Sequence, residues 1–353
     1  MARSIYRQAS LARLQQCSEH LRMNTRGFQS SSHTLKSQPS TSSNPSSEHI
    51  SWAVEPWQAT NMLHLRRALK PHLDAGELGD YMPPGYQMVS HNETAPEGEL
   101  AEDGAEWKYA PGPEWTFRVW AGANFQYLKP KIKITNHAEL VLGTESFESI
   151  RYSGNPTDVD CKAFVTIAKQ YNQGDSEKGE VLISEKRHLC FLKQIPESLK
   201  TPKAAKTLKP PTHTDSTYRY TMTPTPELLF RFSALSNNVH KIHYDNEYAK
   251  QVYGVPNLIV HGPLTGVLMQ EALTKSFADT ANAGKEYVVH EFEYKNMAPL
   301  WVNEEITVCC RLAKSQDSSS ESIQLWDTWV EVTKEGGAAL AVKGRAKVGV
   351  KSL

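Results

Sequence analysis

The sequence predicts an α+β protein in which an antiparallel sheet wraps one long helix, and three observations carry that reading. The stretch HGPLTGVLMQEALTKSF places Leu264, Val267, Leu268, Gln270, Glu271 and Leu273 so that most of a helix is buried, with Gly266 allowing close backbone approach. Four strand candidates follow it: YVVHEFEYKNM, EITVCCRLAKS, SIQLWDTWVEVTK and ALAVKGRAKVGV. Sheet-on-helix packing is the simplest way to bury one face of those strands together with that helix. In the third strand Thr328, Val330 and Val332 alternate with Asp327 and Glu331, which predicts one buried face and one wet face.

The remaining elements follow in chain order. Residues 51–205 read as a first half with a helix around TNMLHLRRALKPHLD and a long Gly/Pro/Glu-rich loop from Gly76 to Pro113. Its strand candidates are WTFRVWAG, KAFVTIAKQYN and VLISEKRHLCFLK. No long helix is obvious after WAG, so a central helix of this half is expected to be shortened or replaced by loop. Residues 206–222 read as a linker and first strand, and 223–353 as a second half. There Thr225 is an N-cap, Pro226 suits the first helical position and Glu227 favours the positive helix end. Asn237 suits the left-handed residue that ends this helix near Ser236, and Asp245 caps a short helix, DNEYAKQVY, stopped at Gly254.

Composition narrows the function classes. At 353 residues the chain is long enough for roughly two domains. Lys plus Arg and Asp plus Glu both number 39, so no general attraction for nucleic acid is implied. No apolar run approaches the ~20 residues of a membrane-spanning helix. Five cysteines without CxxC spacing argue against a disulfide framework or a zinc site. Gly-rich nucleotide loops, GxSxG and HExxH are absent, so no cofactor and no metal are expected. Residues 1–50 are basic, Ser-rich and acid-poor: Arg3, Arg7, Arg13, Arg22 and Arg26 face only Glu19 before Glu48. That predicts a mitochondrial presequence processed after Phe28, followed by a disordered Ser/Pro-rich linker.

The chemistry-bearing stretch is ALSNNVHKIHYDNEYA, followed by LIVHGPLTG. Together they resemble the hydratase signature of the MaoC-like hot-dog family. In the first half, YMPPGYQMV and FRVWAGANFQY resemble the N-terminal half of fungal mitochondrial 3-hydroxyacyl-thioester dehydratases type 2 and of mesaconyl-CoA hydratase-like proteins. The resemblance implies a double hot-dog, two antiparallel sheets each wrapped around a central helix and paired as a pseudo-dimer, with the second half bearing the catalytic motif and the first half shaping an acyl tunnel.

It also implies the site. Asn238 stands where the broad family has aspartate, His243 stands at the family's histidine, and the Gly262 N–H takes the place of the oxyanion contact. An amide does not relay a proton as a carboxylate does, but it can orient a water or hydroxyl. If elimination is syn, His243 alone can take the α-proton and return it to the departing oxygen. His240 and His261 read as loop and neighbouring groups, Asp245 as a cap, Tyr244 as packing and Trp120 as core.

The function implied is a hydro-lyase of the mitochondrial matrix that forms trans-2-enoyl thioesters from 3-hydroxyacyl thioesters, with an acyl carrier protein as partner in fatty acid synthesis. The alternatives are a CoA-thioester hydratase of the enoyl-CoA or mesaconyl-CoA type, and an acyl-thioester-binding hot-dog protein without turnover. The resemblance leaves a homo-oligomer open.

Overall fold

In the computed structural model the described residues are 50–352, except 93, 135–138, 201–207, 281–283, 318–321 and 335–336. The expected presequence, its expected processing point at Phe28 and part of the expected linker lie outside them.

Ten strands of the described residues form one continuous antiparallel sheet. In chain order they are β1 (Ile50–Glu55), β2 (Phe117–Tyr127), β3 (Val141–Ser153), β4 (Lys162–Gln173), β5 (Val181–Leu192), β6 (Tyr218–Met222), β7 (Lys285–Asn296), β8 (Ile306–Asp317), β9 (Ser322–Lys334) and β10 (Gly337–Ser352). Their spatial order is β1-β3-β4-β5-β2-β7-β10-β9-β8-β6. Reading outward from the central β2–β7 pair, the two sides have the same order, so the sheet repeats itself about its middle. At that middle Phe125 pairs with Phe292 in register, and their rings stack 6.3 Å apart.

Among the described residues five α-helices accompany the sheet: α1 (Ala59–Leu73), α2 (Glu197–Lys200), α3 (Pro226–Ser236), α4 (Asn246–Gln251) and α5 (Gly262–Thr280). Local signals explain both ends of α3 and the start of α4. The Thr225 hydroxyl accepts the Leu228 N–H, Pro226 stands in the first turn, and Asn237 turns left-handed at φ 54°. The Asp245 carboxylate accepts the Tyr248 N–H and so starts α4. Leu264, Val267, Leu268, Met269, Ala272 and Leu273 of α5 are fully buried, which places this helix in the core that the second-half strands enclose.

The first half differs from the second at one place. Between α1 and β2 the described chain contains only two short 3₁₀ turns, Tyr86–Val89 and Glu97–Glu99. Where the second half has α5, the first half has the long Gly/Pro/Glu-rich loop. Trp107, Tyr109, Ala110 and Trp115 from that region pack on Ala163, Val165, Ile167, Leu189 and Phe191 of β4 and β5. Strand alternation is clear on β4, where Ala163, Val165, Ile167, Lys169 and Tyr171 are all buried.

The wet face expected on β9 is not fully wet. Trp329 and Glu331 are buried there. Glu331 accepts the Trp329 indole N–H at 2.7 Å and an Arg219 N–H at 2.7 Å. Trp329 clusters with Cys309 and Leu340, while Lys209 and His213 of the preceding connection lie over the group. A chain segment therefore covers what alternation alone assigns to water. The described cysteines Cys161, Cys190, Cys309 and Cys310 are buried free thiols.

Candidate active site

The turn after α3 builds one wall of the site. Asn238 N–H donates to the Ser233 carbonyl at 2.9 Å, which continues the helix end into the turn. The Asn238 Oδ1 then accepts the His240 backbone N–H at 3.2 Å. A backbone N–H can only donate, so this bond fixes the amide orientation and leaves the Asn238 NH2 with its donors available. Ile242, 3% exposed, anchors the following 3₁₀ turn, Lys241–His243, in the core.

His243 is held by the same backbone it faces. Ile259 N–H donates to the Ile242 carbonyl at 3.1 Å, and His243 Nδ1 lies 2.7 Å from the Ile259 carbonyl. A carbonyl only accepts, so Nδ1 carries the proton and Nε2 carries the lone pair. The His261 ring stacks on His243 at 3.7 Å and a 20° interplanar angle, and His261 Nε2 is fixed by the Ser233 hydroxyl at 2.8 Å. Burial, followed by the charges of His240 and Arg118, pushes the His243 pKa down to about 3 against the opposing Ile259 carbonyl. His243 is a neutral imidazole at neutral pH, the form that accepts a proton.

Gly262 opens α5. The first N–H groups of a helix have no intrahelical partner and lie at its positive end, so this terminus can receive developing negative charge. Glycine is required here by packing: a Cβ on Gly262 would lie 2.6 Å from Cβ, Cγ and Cδ1 of Trp120. Tyr294 O–H donates to the Gly262 carbonyl at 2.9 Å and secures the same turn from β7.

Asn238, His243 and Gly262 line one cavity of about 630 Å³. The three residues singled out from the motif are therefore brought together. Trp120, read as core, is half-buried and forms cavity wall as well as packing. Tyr244 is 40% exposed and is not a packing residue. Asp245 serves as the α4 cap. His240 is buried, 5% exposed, beside Tyr253 and Asp103, and His261 is fully buried under His243. Residues of the first half that line the cavity, among them Arg118, Phe164 and Arg187, carry no sequence signal of their own. Among the described residues no group of three or more His, Cys, Asp or Glu side chains could hold a metal ion.

The three histidines at the site have a consequence for stability. His240, His243 and His261 all have pKa values lowered from 6.5, in each case chiefly by burial. The unfolded chain therefore takes up protons that the folded chain refuses. Their contribution is fully present above about pH 6.5 and is lost as pH falls toward the folded values, at up to ~1.4 kcal/mol per pH unit for each proton. Urea unfolding midpoints are expected to drop steadily between pH 6.5 and pH 4. A midpoint flat over that interval would show that these rings titrate normally in the folded protein.

Comparison with known proteins fixes the class. A Mycobacterium tuberculosis structure described as having a double hot-dog fold superposes with a TM-score of 0.51 at 11% identity, over 86% of this chain and 96% of that one. With the self-repeating sheet, this gives the chain a double hot-dog fold. It belongs to the hydroxyacyl-thioester dehydratase type 2 family, whose model matches residues 85–302. A mitochondrial hydroxyacyl-thioester dehydratase type 2 of Schizosaccharomyces pombe is 28% identical over 251 residues, 65% of this chain and 77% of that protein. A mesaconyl-C(4)-CoA hydratase of Chloroflexus aurantiacus is 31% identical over 237 residues, 66% of this chain and 76% of the relative. The protein is accordingly a hydro-lyase of acyl thioesters, adding or removing water.

Proposed function

We propose that the protein is a mitochondrial 3-hydroxyacyl-thioester dehydratase that forms trans-2-enoyl thioesters on acyl carrier protein during mitochondrial fatty acid synthesis. The observation that carries the chemistry is the shared cavity of Asn238, His243 and Gly262. His243 Nε2 takes the α-proton, and charge moves onto the thioester oxygen, which the Gly262 N–H and the positive end of α5 receive. The Cβ–O bond then breaks, and the hydroxyl leaves as water with the proton that His243 returns. Asn238 donates from its NH2 to that oxygen throughout. One imidazole is enough because both groups leave from the same face.

The location is supported by the arginine-rich, acid-poor start and by the mitochondrial relatives. The match to the mesaconyl-C(4)-CoA hydratase supports a second reading, hydration of a CoA thioester. The decisive experiment follows the conjugated enoyl thioester by absorbance, comparing crotonyl and longer chains on CoA and on acyl carrier protein. Faster turnover on the carrier protein is expected. Preference for CoA would establish the second reading, and no turnover on any thioester would end both. Mass spectrometry of the protein from mitochondria should find an N-terminus near residue 29, and an intact Met1 in the cytosol would refute import.

Asn238 offers a sharper test of the mechanism. Asn238→Ala is expected to slow turnover less than loss of His243 does, because a water can take over part of the amide's role. Asn238→Asp can keep the bond to His240 N–H, but it loses the NH2 donors and places an anion beside His243. That anion raises the imidazole pKa, so the acidic limb of the kcat/KM profile should move to higher pH, by about a unit or more. An unchanged profile would mean that residue 238 does not face the imidazole in the working site.

A further inference from the structure

The site has an asparagine where a carboxylate would assist an imidazole, yet the structure holds a carboxylate close by that comes from the other half of the chain. Asp103 lies in the long loop between α1 and β2, and its side chain is 9% exposed. Three neighbours account for its two oxygens. Oδ1 accepts the Ala105 N–H at 2.8 Å. Oδ2 accepts the Tyr253 hydroxyl and lies 3.4 Å from His240 Nε2. The Tyr253 proton is committed to Asp103, so His240 Nε2–H donates to the Tyr253 oxygen at 3.1 Å. The His240 ring in turn stands edge-on to His243, with centroids 5.6 Å apart and an 83° interplanar angle.

The backbone makes the same connection. The Asp103 carbonyl accepts the Lys241 N–H at 2.8 Å, inside the turn that carries His243. The next residue, Gly104, has φ +79°, and a Cβ on it would collide with the Val239 carbonyl. Only glycine lets this loop lie directly on residues 238–241. A buried carboxylate needs several partners to be tolerated, and here both side-chain hydrogen-bonding neighbours, Tyr253 and His240, belong to the catalytic half. Burial alone would raise the Asp103 pKa, but the hydrogen bonds and charge of His240, with those of Tyr253 and Ala105, bring it to about 2. Asp103 is therefore an anion throughout the neutral range.

We propose that Asp103 is the positioning carboxylate of this site: through Tyr253 and His240 it fixes the turn that presents Asn238 and His243, so that the first half of the chain takes part in the reaction. This rests on the reading of His243 as the proton carrier. Asp103 does not touch the substrate in this role. It sets the tautomer and tilt of His240, holds the Lys241 N–H, and places negative charge on the side of the histidine pair where positive charge develops during proton transfer.

The test compares Asp103→Asn, His240→Ala and the double variant in the full chain, with His243→Ala as reference. Turnover of crotonyl thioester and thermal midpoints are measured for each. Asp103→Asn is expected to lower kcat about 10- to 100-fold while KM changes less than about threefold. The double variant should lose little more than His240→Ala alone, because both changes break one chain of contacts. Full kcat in Asp103→Asn, with His243→Ala inactive, overturns this proposal and leaves the site reading intact. Additive losses in the double variant also overturn it, since Asp103 would then act independently of His240. If Asp103→Asn does not fold, His240→Gln decides: it keeps a polar side chain at that position and loses the ring, and unchanged kcat would refute the relay. Activity surviving in His243→Ala would instead refute the underlying site reading.

Discussion

Replacing His243 with alanine is expected to lower turnover of a 3-hydroxyacyl or enoyl thioester by about 10²- to 10⁴-fold, the usual effect of removing a positioned general acid/base. That corresponds to about 3–5 kcal/mol of transition-state stabilisation. KM should change much less, because the imidazole contacts the moving proton and not the bulk of the acyl thioester. The variant should stay folded: its ring is a neutral side chain at a cavity wall, and losing it frees one carbonyl, Ile259 O, in a place that water can reach. Stopped assays and a thermal midpoint on the same sample separate the two effects. Full activity in His243→Ala would move the proton to His240, whose Asp103 partner makes it the next candidate. A comparable loss with a collapsed midpoint would show instead that His243 holds up the turn.

The parts of this site differ in how far the sequence discloses them. α3 was readable to the residue because Thr225, Pro226, Glu227 and Asn237 each act within one turn of chain. α5 and the strands β4, β5 and β7 to β10 were readable because apolar periodicity records burial directly. β1 and β3 carried weaker signals. β1 is a six-residue strand at the sheet edge, and β3 loses its buried side chains toward its C-terminal end. Asn238, His243 and Gly262 could be selected because the stretches that carry them, ALSNNVHKIHYD and LIVHGPLTG, resemble a known signature. Nothing local marks Trp120 as cavity wall or Asp103 as neighbour of His240, since both relations join chain segments more than 100 residues apart. The covering of Trp329 and Glu331 is of the same kind. Alternation reports which face a residue points to, and only the path of the connection decides whether that face meets water.

Gly262→Ala is the other substitution with a large expected effect, and its cause is steric before it is chemical. The added methyl would lie 2.6 Å from three atoms of Trp120, including Cβ, which no rotation of the indole can remove. Trp120 is not free to retreat as a strand either, because its carbonyl is held by Asn296 Nδ2 at 3.0 Å across the β2–β7 junction. The first turn of α5 must therefore shift, and the Gly262 N–H moves with it, away from the point where a thioester oxygen would be received. Overpacking of this kind costs about 1–3 kcal/mol of stability, while loss of an oriented oxyanion donor costs about 10²- to 10³-fold in kcat. Gly344→Ala separates the two contributions. Its methyl would lie 2.7 Å from the Glu293 carbonyl oxygen, a comparable collision between β10 and β7 at a residue that does not line the cavity. Gly344→Ala should lower the thermal midpoint about as much and turnover far less. If both variants lose turnover equally, the packing of α5 and its sheet as a whole matters and the Gly262 N–H is not the oxyanion contact.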